Sequence, residues 1–417
     1  MESAATGGGA IVLARYDEIR EALFAPDLSR TFDRRSWAEG NIRDGVVSVQ
    51  HGPVHRARRR VENSQFRPDR LRLYERDLFP GVLATWVDRI VEDGRVDLFA
   101  LGELLSVVLA ARRAGIDHDP DSRDQLDELV GYVDVFSQGS AILDARDPDA
   151  VRVLYRRTML EFGERYVTPS RVPREAAIAR FRAGELAEDE LPHDILTVLL
   201  LHRDDPAMEL DGDRLVREVA TYLQGGTHTS SQTLVNGVDL IFPVAARDPG
   251  IWTRIADDRA FAQRCVHETL RLRPTTPKIK RHAEADLVVA GTRIPAGATV
   301  VLDAAAANRD PRLFGDAPDA FDPDRRIDPS VARWGLSFGA GAHQCPGRSV
   351  AGGFPAPAPE TAADEEHIFG LSALMLQEIA RRGVRPDPDR TPERDTRTER
   401  FTRWASYPVL IGPRPAA

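Results

Sequence analysis

Two cysteines and two lysines are all that this 417-residue chain contains of either type. With only Cys265 and Cys345 present, neither a disulfide framework nor a cysteine-rich zinc site is expected, and a reducing compartment fits. Long apolar runs are missing too. The best candidates, around Leu104–Ala111 and Ile195–Leu201, fall far short of the ~18 residues of a membrane span. The N-terminus, MESAATGGGAIVLARYDE, has no basic start followed by an apolar stretch, so no export signal is expected and the cytoplasm is the default location. Nor is there an excess of positive charge: a net charge of −9 argues against general nucleic-acid binding. Lysine is confined to Lys278 and Lys280, which leaves arginine as the working base and suggests a GC-rich coding sequence of the actinobacterial kind.

What is present is globular. Hydrophobic residues make up 42% and charged residues 29% of the chain, enough for a substantial core. Residues 10–24 read as a short strand followed by a helix from Asp17, and 29–53 as a polar, turn-rich loop. The basic stretch HRARRRVENSQFRPDRLRLYER begins at His55, just after Pro53, a favourable helix start. Helical periodicity then dominates 75–245, with breaks expected near Asp147–Asp149, Pro169–Pro173 and Asp204–Pro206. A long helix is expected from Asp213 to about Leu240, ended by Pro243, and another from about Asp258 to Arg273. Beyond Pro274 the period changes. LVVAGTRIPAGATVVLDAAA reads as short strands, 352–366 as a surface loop, 367–382 as a helix and WASYPVLIG as a last strand. The expected architecture is mainly α with small β-sheets, in a single domain over 1–417.

The strongest chemical signal is SFGAGAHQCPGRS, centred near Cys345. A thiolate ligand to iron needs a deprotonated sulfur on a backbone tight enough to aim it. Gly339, Gly341 and Gly347 permit sharp turns and close approach, and Phe338 offers an apolar plate beside the sulfur. The competing reading, a glycine-rich turn around a buried free cysteine, leaves the combined spacing F-G-x-G-x-H-x-C-x-G unexplained.

This pattern resembles the haem-binding loop of the cytochrome P450 superfamily, and further matches follow in the family's order over roughly residues 10 to 412. In VHETLRLRP, Glu268 and Arg271 stand three apart on one helix face and can pair; they match the family's E-x-x-R. Arg325, in ANRDPRLFGDAPDAFDPDR, matches the basic residue that completes that structural trio. The resemblance implies a P450 fold with haem b (iron protoporphyrin IX) between the cysteine loop and a long oxygen-activation helix. His55 and Arg59 match the family's H-x-x-x-R position, and Arg281 and His343 match further contacts to the haem propionates. The chain begins at what resembles the family's second strand, and GGFPAPAPETAADEEH is an insertion where members pass directly into a helix.

In LVREVATYLQGGTHTSSQTL, Gly225 and Gly226 weaken the long helix, each by ~1 kcal/mol relative to alanine. The family pattern makes Thr229 the oxygen-side hydroxyl. His228 stands where members carry an acid, and can serve as a proton donor or point outward. In TTPKIKR, strand alternation puts Pro277, Ile279 and Arg281 on one face and the two lysines on the other; the match of Arg281 to a propionate contact implies that the first of these faces the haem. Arginines 56, 58, 60, 67, 70 and 72 form a positive patch suited to an acidic ferredoxin or flavodoxin, itself supplied by a reductase. The resemblance implies monooxygenation of a small organic molecule of secondary metabolism by a monomeric enzyme. Peroxide-driven chemistry, ring coupling, desaturation or a ligand-binding protein with little turnover remain open at this point.

Overall fold

Aspartate is the recurrent helix starter. Asp97, Asp147, Asp194, Asp211 and Asp258 each accept one or more backbone N–H groups of the turn that follows, satisfying donors that a helix start leaves unpaired. The computed structural model describes residues 10–30, 43–91, 94–142, 145–355, 367–397 and 403–412. Six helices matter for the site: α1 (Tyr16–Phe24), α2 (Gly52–Glu62), α3 (Leu98–Ala114), α4 (Gly212–Ala245), α5 (Arg259–Leu272) and α6 (Leu371–Arg381). α3 is buried along almost its whole length, and α4 packs more extensively on it than on any other element. The architecture is mainly helical with small sheets, as the sequence implies.

The largest sheet has four strands, in the order β1 (Ile11–Leu13), β4 (Thr299–Asp303), β3 (Lys278–Ala283), β2 (Leu28–Ser29). β1 runs parallel to β4, and β3 runs antiparallel to both β4 and β2. Its register sets Arg281 opposite Val300 and Lys278 opposite Asp303. Two apolar cores result, a large helical one and a smaller one between the sheet and α1. No described helix is long and apolar enough to cross a membrane.

Three sequence expectations need correction. Pro169 and Pro173 do not break the chain: they lie in a helix, Thr168–Arg182, that continues from Pro148–Phe162 through a widened turn at Gly163–Val167. Both prolines are exposed, so water can satisfy the carbonyls that lose a donor. Pro243 does not end α4, which reaches Ala245 with the proline in its final turn. The helix expected from 367 begins at Leu371. Most of the insertion, 356–366, lies outside the described residues.

A buried polar lattice fixes the segment leading to Cys345. Arg271, fully buried, donates to Glu268 at 2.6 and 2.7 Å and to the carbonyls of Asn308 and Pro318 at 2.8 and 2.7 Å. Arg325 reaches the same carboxylate at 3.3 Å. Asn308, which belongs to no motif, accepts from Leu336 N at 2.7 Å and donates to Ser337 Oγ at 2.9 Å. Ser337 in turn donates to Leu270 O at 2.7 Å. The loop is therefore bolted to the helix that carries Glu268 and Arg271.

Candidate active site

The cysteine loop closes on itself: Gly339 N donates to Leu336 O at 2.8 Å and Cys345 N to Phe338 O at 2.9 Å. Gly339 and Gly341 have φ of +65° and +67°, a conformation that side chains resist. At Gly341 a Cβ would stand 2.5 Å from Leu23 O, so α1 also excludes one; at Gly339 nothing lies within 4 Å of that position. Gly339, Phe338 and Cys345 line one large cavity. Burial pushes the Cys345 thiol up, while the Gly347 N–H and the Arg59 guanidinium oppose the shift. A metal cation at the sulfur would displace that proton.

Cations gather on one side of the cavity. Arg59 Nη2 donates to Gln344 O at 2.7 Å. Arg281, only 3% exposed, donates to Lys280 O at 3.0 Å, and burial alone depresses its pKa to about 10. The rings of His55 and His343 lie 4.0 Å apart. Burial, then nearby positive charge, lowers His55 to about 4 and His343 to about 2. His51, which sequence reasoning passed over, extends the group: its ring stacks 5.8 Å from His343 and its Nε2 contacts Pro26 O at 2.8 Å. Five arginines line the cavity, and Glu218 is the one carboxylate among the described residues that does so. Such a surface suits an anionic occupant.

From the opposite side α4 presents a stripe at helical spacing that includes Tyr222, Gly225, Gly226, Thr229 and Thr233. Thr229 Oγ1 donates to Gly225 O at 2.7 Å, and Ser230 Oγ to Gly226 O at 2.9 Å. The two glycines do different work. Nothing lies within 4 Å of a Cβ at Gly225, whereas one at Gly226 would stand 2.9 Å from Ala110 Cβ on α3. His228 is not brought to the cavity. It is buried against α3, with Nδ1 3.1 Å from Glu103 Oε1 and its ring edge-on to Phe99 at 5.5 Å. On β3, Ile279 and Arg281 reach the cavity as alternation implies, and Lys278 is exposed; Pro277 is not among the lining residues.

Of the arginine patch, Arg56, Arg60 and Arg67 are exposed. Arg58 is not part of it. It is fully buried and turned towards Glu62 and Glu218, because positions 55, 58 and 62 share the inner face of α2.

The residues present fit a planar group with two carboxylates and a metal centre: one thiol on the wall, open space over Gly225 and Gly339, and the buried Arg281 guanidinium beside Arg59. The comparisons agree. The cytochrome P450 profile matches residues 247–352. Cytochrome P450 123 of Mycobacterium tuberculosis is 32% identical over 306 residues, 72% of this chain and 66% of that protein, just under two thirds of its length. A cyclooctat-9-en-7-ol 5-monooxygenase of Streptomyces melanosporofaciens is 26% identical over 374 residues, covering 80% and 74% of the two chains. The crystal structure of CalO2 superposes with a TM-score of 0.72 at 22% identity, covering 98% of this chain and 92% of that one. The chain belongs to the cytochrome P450 superfamily.

Proposed function

We propose that this chain is a haem-thiolate monooxygenase acting on a small organic molecule of secondary metabolism. Cys345 would hold the iron of haem b, and His55, Arg59, Arg281 and His343 its propionates. The observation that carries this reading is the placement of Cys345 and Thr229 on one cavity that is also lined by the buried Arg281 guanidinium. The monooxygenase from S. melanosporofaciens supports it, as does luteothin monooxygenase of Streptomyces thioluteus, 39% identical over 144 residues, 34% of this chain and 33% of that protein.

When bound, the haem supplies the reductive activation of dioxygen. Arg281 and Arg59 would neutralise its carboxylates, and Gly225 would leave space beside it. Thr229 carries the one role that needs a hydroxyl. With its proton engaged at Gly225 O, its oxygen can only accept, so it would hold a water in the cavity by accepting that water's hydrogen bond and leave the water's other proton free to be donated. Thr229→Ala should bind substrate and take up electrons as the parent does, but release them as hydrogen peroxide, with product per electron falling by about 10²-fold. Undiminished product yield in a coupled assay of NADH, peroxide and product would overturn the role.

Electrons would come from an acidic ferredoxin or flavodoxin served by a reductase. Arg56 and Arg60 supply exposed charge for that encounter, without Arg58. Reduction should slow as salt screens the attraction. Charge reversal at Arg56 and Arg60 should raise the partner's KM and leave peroxide-driven turnover unchanged. Stopped-flow reduction that is independent of salt would remove the docking surface.

A further inference from the structure

The α4 stripe that bears Thr229 begins at Glu218, and both residues line the cavity. Along the helix they are separated by about 16 Å. Glu218 is fully buried in an unusual cluster. The Arg58 guanidinium pairs with its Oε2, donates to Glu62 Oε1 at 3.2 Å and donates to Gly45 O at 2.5 Å. Val47 N also donates to Glu218 Oε2, at 2.7 Å, and the Tyr222 hydroxyl lies 2.6 Å from Glu62 Oε2. Glu218 Oε1 has no partner at all.

The donor chemistry decides which carboxyl carries the charge. The groups facing Glu218 Oε2, a peptide N–H and a guanidinium, can only donate, so Glu218 must accept. A proton on Glu218 would have to sit on Oε1 with no acceptor to take it, whereas Tyr222 can donate or accept, so a proton shared by the two carboxyls is better held on Glu62. Burial pushes both carboxyls up, Glu62 to about 8 with the charge of Glu218 adding to the shift, whereas at Glu218 Arg58, the Val47 N–H and Arg43 all oppose it. Glu218 is then an ionised carboxylate with one oxygen left unfilled. Buried acceptors of this kind are normally completed by water or by a ligand. The wall around it comes from the segment that also contributes Arg43, Val47 and Ser48 to the cavity.

We propose that Glu218 anchors the far end of the substrate, accepting a hydrogen bond from a neutral hydroxyl or amide N–H about 16 Å from the atom presented beside Thr229. A neutral donor is favoured over an ammonium group because Arg43 and Arg58 already stand around this carboxylate. The substrate is accordingly elongated, with a polar donor remote from the oxidised carbon. This rests on the haem-monooxygenase reading above.

N-(ω-hydroxyalkyl)imidazoles test both at once. The imidazole head reports binding at the haem iron through the Soret shift, and the tail explores the cavity. In the haem-loaded parent, a hexyl-to-tetradecyl series should show an affinity maximum at one chain length for the hydroxyl compounds. At that length the hydroxyl compound should bind about tenfold more tightly than its ω-methoxy analogue, the scale of a hydrogen bond to a charged group. Glu218→Gln should erase most of that difference. Soret shifts without a hydroxyl preference at any length would overturn the anchor and leave the haem reading intact. A preference that survives in Glu218→Gln would place the donor elsewhere and also overturn it. The absence of any Soret shift would overturn the haem reading and the anchor with it. Because the hydroxyl–methoxy comparison is made in the parent protein, the test stands even if the variant folds poorly.

Discussion

Cys345→Ala should lose the red-shifted Soret band that a reduced, carbonyl-bound haem shows when a thiolate is its other ligand, and the loss should be complete. Alanine cannot coordinate, and the other cysteine cannot substitute. Cys265 is fully buried in α5, three residues before Glu268, and burial pushes its thiol well above its ordinary value. The loop itself should survive the change, because it is held by contacts that do not involve the sulfur: Asn308 to Leu336 and Ser337, Ser337 to Leu270, and the Phe338–Cys345 backbone bond. A folded protein with altered haem spectra is therefore expected rather than an unfolded one. Far-UV circular dichroism and the carbonyl difference spectrum separate the two. Cys265→Ala should keep the band, at a stability cost of about 1 kcal/mol for the small cavity it opens. Retention of the thiolate band in Cys345→Ala would remove the basis for placing the iron here.

The parts of this site that were legible in the sequence are those whose chemistry is local. Glu268 and Arg271 are three apart on a helix, so their pairing follows from helical geometry. The turns around Cys345 follow from glycines that can take positive φ. The split between Arg281 inside and Lys278 outside follows from strand alternation. What could not be read are partnerships formed across the chain. Arg58 looks like one more arginine in a basic run, yet Glu218, 160 positions away, takes it into the interior. Asn308 has no motif, and its role exists only because Leu336 and Ser337 fold back onto it. The proline pair at 169 and 173 looked like a break because sequence alone does not show that both rings face solvent. His228 was misplaced for a geometric reason. It differs from Thr229 by one residue, which turns its side chain about 100° around the helix, from the cavity towards α3.

That rotation reverses one expectation. If His228 fed protons into the cavity, His228→Asp, which restores the acid usual in the family, should preserve coupling. In the structure the imidazole instead fills a tight crossing of α3 and α4. Ser231 Oγ donates to Phe99 O at 2.8 Å, and a Cβ at Gly102 would stand 2.9 Å from Ser231 Oγ. Between these contacts, His228 Nδ1 meets Glu103 Oε1 at 3.1 Å, with both side chains almost out of water. Aspartate there would be too short to fill the ring's volume and would set a second carboxylate against the first. Leaving the buried Glu103 carboxylate without its hydrogen-bond partner costs about 1–3 kcal/mol, and the added like charge acts in the same direction. His228→Asp should therefore unfold at markedly lower denaturant, by several kcal/mol, before any question of coupling arises. Adding Glu103→Gln should recover part of the loss by removing the repulsion, and Glu103→Gln alone should cost less than His228→Asp. Urea unfolding of the haem-loaded single and double variants measures the interaction directly as a double-mutant cycle. Parental stability in His228→Asp, combined with a rise in peroxide leakage, would return the histidine to the proton path. Low stability rescued by Glu103→Gln would fix its function as the joint between the two helices that keeps Gly225 and Thr229 aligned on the cavity.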